Sequence, residues 1–208
     1  MNVHSKTQKK FRIVMNRLSK SKTVFLCCDI QSNFKSTIFR FSHVERMSSL
    51  LVQAAKILDV PVVVSEQYPE KLGHTVPSID TSGCHVYSKT KFSMIAPGFP
   101  EQYFSERDSF VLFGIEAHVC VHQTALDLLE KGKHVILVTD AISSSRELDR
   151  STAISNLTRK GADIMSTESV LFELLRSKDS PEFKEISQIA KNIATFCKEN
   201  SPSVLSSL

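Results

Sequence analysis

The sequence predicts a three-layer α/β fold with a parallel sheet of five or six strands. Two observations indicate this class: short runs that are apolar on both faces, such as TVFLCCDI and HVILVTD, and amphipathic segments of helical length between them. Strands that are buried on both faces are typical of parallel sheets covered by helices on each side. A chain of 208 residues, 41% hydrophobic and 23% charged, has room for one such domain.

The predicted strands and helices alternate along the chain. Strands are predicted at TVFLCCDI (23–30), VPVVVSE (60–66), HVYSK (85–89), SFVLFGI (109–115), HVILVTD (134–140) and ADIMST (162–167). Helices are predicted at 44–58, 119–131, 147–160, 170–176 and 182–197. We therefore expect one domain at 23–199, preceded by an extension at 1–22 and followed by a tail at 200–208.

The extension at 1–22 is basic. No Asp or Glu occurs before Asp29, and the extension holds seven Lys or Arg residues, which leave 19 basic against 22 acidic residues in the rest of the chain. The net charge of +4 therefore belongs to the extension, and the mildly acidic body argues against a nucleic-acid partner. An acid-free segment with Ser residues and helical spacing of apolar residues fits a mitochondrial presequence, although a disordered basic extension is the default interpretation of such a segment. The expected location is cytoplasmic or mitochondrial.

The number and spacing of the cysteines argue against two structural uses of this residue. There are five, at irregular spacing and without a Cys-x-x-Cys pair: Cys27, Cys28, Cys84, Cys120 and Cys197. This pattern argues against a disulfide framework and against a structural zinc site, and it suits a reducing compartment. Cys27 and Cys28 lie inside an apolar strand and are predicted to be core residues. No apolar run reaches about 18 residues, so no membrane partner is expected.

Polar side chains end the predicted strands. Asp29 ends the first strand, Glu66 the second, Lys89 the third and Asp140 the fifth, and the fourth runs into the segment that carries Cys120. Ligands of open α/β sheets bind at the carboxyl ends of the strands, where the strand order reverses. A carboxylate, an ammonium group and a thiol are therefore expected to meet at one edge of the sheet.

Cys120 lies where the fourth strand passes into a helix. Free backbone N–H groups and the positive end of the helix dipole favour the thiolate there. Lys89 would act in the same direction, and Asp29 could accept the thiol proton. This arrangement describes an activated nucleophile. A lone cysteine at such a junction is more often a core residue, so the position by itself leaves both interpretations open.

Several ordered motifs resemble those of the isochorismatase-like cysteine hydrolase superfamily. They are CDIQ, SKTKFSM and GIEAHVCVHQTALDLLEKG, joined by VVVSEQYPEKLGHTV, VTDAISS and FKEI, and together they resemble the isochorismatase domain-containing proteins over about residues 23–186. The resemblance implies an isochorismatase-like, Rossmann-like fold and a catalytic triad of Asp29, Lys89 and Cys120. It also implies a non-proline cis peptide between Ile115 and Glu116, and an oxyanion hole from the backbone N–H groups of Glu116 and Cys120.

The implied activity is hydrolysis of a small amide or related carbonyl compound through a thioester. Three alternatives remain: an enol ether hydrolase of the isochorismatase type, a non-catalytic scaffold with this fold, and a redox protein in which Cys84 resolves Cys120. The family commonly forms homo-oligomers, and SMIAPGFPEQYF (93–104) is the predicted surface for a dimer or larger assembly. We expect no cofactor.

Metal-binding members of the superfamily carry several His residues after the second strand. The corresponding segment here has one, His74, so no metal is expected. Glu66 and His74 are candidates for the substrate pocket, although supporting roles are equally compatible with their positions. The other predicted pocket residues are Gln31, Phe92 and His118. His122 follows Cys120 by two residues and faces another side of the helix, so neither His118 nor His122 is predicted to be a catalytic base.

Overall fold

A parallel sheet of six strands forms the centre of the protein. The structure, a computed structural model, describes residues 17–200. Within that range the strands are β1 (Thr23–Cys28), β2 (Val62–Gln67), β3 (His85–Lys89), β4 (Ser109–Gly114), β5 (His134–Ile142) and β6 (Asp163–Met165). Their spatial order is β3-β2-β1-β4-β5-β6, and every neighbouring pair is parallel.

Helices cover both faces of this sheet. They are α1 (Phe41–Ile57), α2 (Pro69–Leu72), α3 (Tyr103–Glu106), α4 (His122–Glu130), α5 (Glu147–Arg159), α6 (Thr167–Leu175) and α7 (Phe183–Glu199). Helices α1, α6 and α7 pack against one another, and α4 packs against α5. The central strands β1 and β4 are buried along their whole length, because helices lie on both sides of them. The predicted three-layer α/β/α fold is confirmed.

The structure differs from the predicted elements mainly in the connections. The helix predicted at 119–131 begins as a π-helical turn, Ala117–Val121, which continues directly into α4. Short 3₁₀ turns occur at Lys20–Lys22 and Ser32–Phe34, and the four-residue helices α2 and α3 lie in segments predicted to be loops. Helices of one turn have too few residues to show an amphipathic period, so sequence patterns do not reveal them.

Strands β1 and β4 leave no room for a side chain at Gly114, near their carboxyl ends. Cys28 is paired with Gly114 in the ladder, and the N–H of Ile115 donates to the carbonyl oxygen of Cys28 at 2.9 Å. Gly114 has a φ of 120°, and a Cβ atom there would lie 2.1 Å from the same carbonyl oxygen. Only glycine fits both requirements. This contact places the segment after β4 directly beside the end of β1. The next peptide bond, between Ile115 and Glu116, is cis.

The packed part of the chain begins before β1. Leu18 is fully buried, its N–H donates to Glu173 at 2.8 Å, and its carbonyl oxygen accepts a hydrogen bond from Arg176. Lys20 forms an ion pair with Glu182 at 2.8 Å. Residues from 18 onward therefore pack against α6 and the start of α7, although 1–22 was predicted to be peripheral. The predicted targeting segment falls mostly on residues 1–16, and most of the predicted tail on 201–208. Both ranges lie outside the described residues.

Candidate active site

A buried ion pair lies at the carboxyl edge of the sheet. Asp29 directly follows β1 in a left-handed conformation, with a φ of 52°, and Lys89 is the last residue of β3. Their Oδ2 and Nζ atoms are 2.7 Å apart, and the two residues are only 1% and 4% exposed. Removing two charges from water is costly, and a buried pair persists only where further hydrogen bonds satisfy both groups.

Residues of β2 supply those further hydrogen bonds. The hydroxyl of Ser65 donates to Asp29 Oδ1 at 2.7 Å, and Gln67 Oε1 accepts from Lys89 Nζ at 2.7 Å. Lys89 also donates to the carbonyl oxygens of Phe92 at 2.9 Å and Lys91 at 3.2 Å. Sequence reasoning missed Ser65 and Gln67. The available signal was a serine inside an otherwise apolar strand, because a buried hydroxyl almost always has a hydrogen-bond partner.

Cys120 lies beside the ion pair. It is the fourth residue of the turn Ala117–Val121, is 8% exposed, and its side chain is hydrogen-bonded to Asp29. The hydroxyl of Thr124, one helical turn later, donates to the carbonyl oxygen of Cys120 at 2.7 Å. The structure therefore brings together the three side chains that the motifs single out. Asp29 is the central member, because it contacts both Lys89 and Cys120.

In both members of the ion pair, burial and the charge of the neighbouring groups shift the pKa in opposite directions. Burial raises the pKa of Asp29 above its ordinary value, although Lys89 and the hydrogen bond from Ser65 act against that rise. For Lys89, burial alone would lower the pKa, but the acidic groups of Cys28, Asp29 and Cys120 outweigh it and raise the pKa. The ammonium group thus stays charged, and the carboxylate is a stronger base than an exposed aspartate.

Two backbone N–H groups lie at the start of the helix that carries the thiol. In the part of the chain that the structure describes, the N–H groups of Glu116 and Cys120 donate to nothing outside the turn Ala117–Val121. The N–H of Ala117, by contrast, is bound to the carbonyl oxygen of Ser143 at 2.8 Å. The side chain of Glu116 accepts two hydrogen bonds from Ser145, at 3.0 and 3.1 Å. Free N–H groups beside a nucleophile can bind a developing oxyanion.

Gln31 and Glu66, two of the predicted pocket residues, brace the loop after β2. Both ends of the buried Gln31 side chain bind backbone: Oε1 accepts from the N–H of Gln67 at 2.7 Å, and Nε2 donates to the carbonyl oxygen of Gly73 at 2.5 Å. Glu66 Oε1 accepts from the N–H and the hydroxyl of Thr75, at 2.7 and 2.8 Å, and Oε2 contacts His74 at 2.8 Å. These contacts favour the supporting role for Glu66, and the His74 ring is largely exposed.

Replacing Glu66 with glutamine is expected to lower the free energy of unfolding by about 1–3 kcal/mol at pH 7, since hydrogen bonds to a buried carboxylate are lost. Burial opposes ionisation, but the hydrogen bonds from Thr75 and His74 outweigh it and lower the pKa of Glu66. A lowered carboxyl pKa contributes stability above the ordinary value near 4.3, and that stability is lost as pH falls through the folded-state value. Urea unfolding at several pH values should show the deficit shrinking in acid.

The exposed Glu70 of α2 is the matched control. Its replacement by glutamine should leave the free energy of unfolding within about 0.5 kcal/mol of that of the unaltered protein. Equal deficits in the two variants, or a deficit for Glu66→Gln that grows in acid, would contradict the bracing role.

The two histidines near Cys120 have separate environments. His118 Nδ1 lies 3.0 Å from the hydroxyl of Ser144 and 3.5 Å from Glu116 Oε2, which fits a structural hydrogen bond. Burial lowers the pKa of His122, which points toward α5 and Asn156. The Phe92 ring is half exposed, whereas its carbonyl oxygen holds Lys89.

The structure corrects the prediction that Cys84 could resolve Cys120. Cys84 precedes β3 and lies near Lys56 and Asp80, at the amino edge of the sheet, whereas Cys120 lies at the carboxyl edge. The length of the strands separates the two thiols. Cys28 was predicted to be only a core residue, yet its side chain contacts Cys120.

Residues 17–200 contain neither a cluster suited to a metal ion nor a helix suited to crossing a membrane. Across residues 17–200, no group of three or more His, Cys, Asp or Glu side chains is arranged to hold a metal ion. In the same range, no helix combines the length and apolarity that a membrane crossing requires.

Asp140, at the end of β5, accepts hydrogen bonds from the N–H and the hydroxyl of Thr167 at 2.8 and 2.9 Å and so caps α6.

Comparison with known proteins identifies the family. Residues 23–169 match the isochorismatase domain. The chain belongs to the isochorismatase-like hydrolase family. It is 46% identical to isochorismatase domain-containing protein 1 of Danio rerio over 181 residues, which are 85% of this chain and 64% of that protein. It is 41% identical to isochorismatase domain-containing protein 2 of the same fish over 177 residues, 84% of this chain and 90% of that protein.

A solved structure matches nearly the whole chain. The structure of MAR1 ribonuclease from Caenorhabditis elegans superposes with a TM-score of 0.82 and 36% identity, covering 93% of this chain and 98% of that one. The fold of the isochorismatase-like domain and its membership of the domain-containing subgroup are therefore shown. This chain spans less than two thirds of the first relative's length.

Proposed function

We propose that this protein is a cysteine hydrolase that acts on a small amide or related carbonyl compound. Asp29, Lys89 and Cys120 form the catalytic triad, and the reaction passes through a thioester on Cys120. One observation carries the proposal: a buried carboxylate is hydrogen-bonded both to an ammonium group and to a cysteine thiol. The three groups lie at the carboxyl edge of the sheet, beside the position between β1 and β4 where the strand order reverses. A structural core does not require three such groups in one dry site.

The first half of the reaction forms the acyl-enzyme. Asp29 accepts the proton of Cys120, and its raised pKa makes it a better acceptor than an exposed aspartate. The sulfur attacks the carbonyl carbon of the substrate, and the N–H groups of Glu116 and Cys120 stabilise the resulting oxyanion. When this tetrahedral species collapses, Asp29 passes the proton to the leaving amine. A thioester remains on Cys120.

The second half releases the acid. Asp29, ionised again, accepts a proton from a water molecule, which attacks the thioester carbonyl through the same oxyanion site. The sulfur of Cys120 leaves and regains the proton from Asp29. Throughout, Lys89 keeps its charge and holds Asp29 in place, because its ammonium group donates to four oxygen atoms: those of Asp29 and Gln67 and the carbonyl oxygens of residues 91 and 92.

Enol ether hydrolysis remains the alternative within the same family. That reaction needs a proton donor for the substrate and a water molecule, and it forms no bond to sulfur. The contact between Cys120 and Asp29 favours the carbonyl reaction, since it gives the thiol a route to lose its proton.

Capture of the acyl-enzyme tests the proposal. The purified full chain is incubated with a panel of small amides, ureas, activated esters and enol ethers, quenched in acid, and analysed by intact and peptide mass spectrometry. We expect at least one carbonyl compound to add its acyl mass to Cys120. The matched variant Cys84→Ser should acquire the same adduct. Turnover of a carbonyl compound without a Cys120 adduct, in both steady-state and quenched-flow samples, would overturn the thioester mechanism.

Ribonuclease activity is a second candidate, because the C. elegans neighbour at 36% identity is named a ribonuclease. The mildly acidic body beyond the extension, with 19 basic and 22 acidic residues, gives a polyanion little attraction. Single-stranded and structured RNA are therefore incubated in parallel. Cleavage that Cys120→Ala abolishes would assign the same site to RNA.

A homo-oligomer also remains a proposal, and the structure offers a second exposed surface for it. Within 93–104, Met94 and Phe99 are buried, and Phe104 packs between Phe99 and Phe110 at 5.2 and 6.1 Å, so these three apolar side chains face inward. Tyr68 and Phe92, near the end of β2 and just after β3, are more exposed. Light scattering that reports a monomer would overturn the oligomer.

A further inference from the structure

A second thiol lies against the proposed nucleophile. Cys28 is the last residue of β1 and directly precedes Asp29. It is fully buried, and its side chain is within hydrogen-bonding reach of the Cys120 side chain. Both cysteines are free in this structure. The site is therefore a pair of neighbouring thiols beside a carboxylate and an ammonium group, and the proposed hydrolysis uses only one of the thiols.

The backbone determines this neighbourhood. Cys28 is paired with Gly114, and its carbonyl oxygen accepts the N–H of Ile115 at 2.9 Å, so the chain that leads to Cys120 starts beside Cys28. Because side chains alternate along a strand, Cys27 faces away from Cys28. Cys28, in contrast, contacts Cys120.

The two thiols differ in access. Cys28 has no exposed surface, and burial, the hydrogen bond to Cys120 and the charge of Asp29 all raise its pKa, so it stays protonated. Cys120 retains an opening to solvent. A small oxidant thus reaches Cys120 first, and Cys28 can react only with what forms on Cys120.

We propose that Cys28 is the resolving cysteine for Cys120 and that a hydroperoxide converts the two into a reversible disulfide that switches off the site. The proposal rests on the proposed function only in treating Cys120 as the reactive thiolate. The modification site is the pair Cys28 and Cys120, and Cys28 has no part in the proposed hydrolytic cycle.

The oxidation proceeds in two balanced steps. The Cys120 thiolate attacks one oxygen of the hydroperoxide, the O–O bond breaks, and the products are a sulfenic acid on Cys120 and an alcohol or water. The sulfur of Cys28 then attacks the sulfur of Cys120. As it does so, the Asp29 carboxylate accepts the Cys28 proton. An S–S bond forms, the S–O bond breaks, and Asp29 passes the proton to the departing hydroxide, which leaves as water. The two sulfurs lose two electrons in total, and the hydroperoxide gains them.

The disulfide has two consequences. It removes the nucleophile, so hydrolysis stops, and a dithiol reductant restores both thiols by exchange. It also stops oxidation of Cys120 at a reversible stage, because a sulfenic acid without a nearby thiol proceeds to sulfinic and sulfonic acids. Without Cys28, the same oxidant would therefore cause permanent loss.

The experiment treats the reduced full chain with a small excess of hydrogen peroxide, blocks free thiols, and maps peptides without reduction. We expect the mass to fall by two hydrogen atoms, with a cross-linked peptide pair that contains Cys28 and Cys120, and full reversal by dithiothreitol. In Cys28→Ser and Cys28→Ala the cross-link should be absent, and Cys120 should gain two or three oxygen atoms that dithiothreitol does not remove. Cys84→Ser, the matched control, should behave like the unaltered protein.

Two results would overturn the proposal. One is accumulation of sulfinic acid on Cys120 in the unaltered protein at the same rate as in both Cys28 variants. The other is a cross-link that joins Cys120 to Cys84 or to a second chain. Neither reading depends on turnover, so a protein that forms the acyl adduct but no disulfide retains the proposed function and loses this inference. As a control, thermal unfolding of the unoxidised variants is measured to check that they are folded.

Discussion

Replacing Cys120 with alanine is expected to reduce turnover of the carbonyl substrate by a factor of about 10⁴ to 10⁶, the loss seen when a covalent nucleophile is removed from a comparable triad. The physical reason is that Asp29 and Lys89 remain in place, hydrogen-bonded to Ser65 and Gln67, but no atom can form the thioester. The measurement is steady-state turnover on the compound found by acyl capture, together with the absence of any adduct on the protein.

Cys84→Ser is the appropriate comparison, because Cys84 lies near Lys56 and Asp80, away from the site. Its turnover should match the unaltered protein. If Cys120→Ala keeps full turnover, the sulfur is not the nucleophile and the enol ether mechanism gains support. The unfolding free energies of the two variants should both lie near the unaltered value, so that a lost activity is assigned to chemistry.

Replacing Lys89 with methionine is expected to lower the free energy of unfolding by about 3–5 kcal/mol at pH 7, because it leaves the Asp29 carboxylate buried without its counter-charge. Methionine has a similar length, so the loss reflects charge more than packing. Without the ammonium group the pKa of Asp29 rises further. A carboxyl group whose pKa is raised in the folded state costs no stability while it is protonated, but the folded protein loses stability as the pH rises and the group must ionise. Denaturant unfolding should therefore show the deficit narrowing as the pH is lowered.

Lys91→Met provides the matched control two residues away. Lys91 is exposed and its Nζ lies 3.6 Å from Asp127, so the same substitution should cost no more than about 1 kcal/mol at any pH. A Lys89→Met variant as stable as Lys91→Met, or a deficit that widens in acid, would mean that Asp29 is not an ionised partner of Lys89 in the folded protein.

The architecture was readable from local patterns. The runs at 23–28, 109–114 and 134–142 have little polarity on either face, and a strand of that kind needs helices on both sides. In a parallel sheet all carboxyl ends lie at one edge, so Asp29 at the end of β1 and Lys89 at the end of β3 were bound to share it. This required neither the register nor the strand order.

The partners within the site could not be read in the same way. Ser65 reaches Asp29 because β2 lies next to β1 with Cys28 opposite Ser65, and Gln67 reaches Lys89 because the two are paired on β2 and β3. Such contacts depend on register, and a shift of one residue would turn each side chain to the other face. Glu66 is an example of the difficulty: its position at a strand end suggested the substrate pocket, but Thr75 and His74 occupy its oxygens.

The sequence by itself determined the fold class, the family motifs and the edge of the sheet at which a carboxylate, an ammonium group and a thiol meet. Only the tertiary structure decided that Cys28, rather than Cys84, lies against Cys120, and that Leu18 belongs to the packed body. The physical reason is the separation along the chain of the residues that each property involves. Periodicity and strand ends are local properties of the chain, whereas the contact of two thiols 92 positions apart requires that Gly114 let β1 and β4 close together.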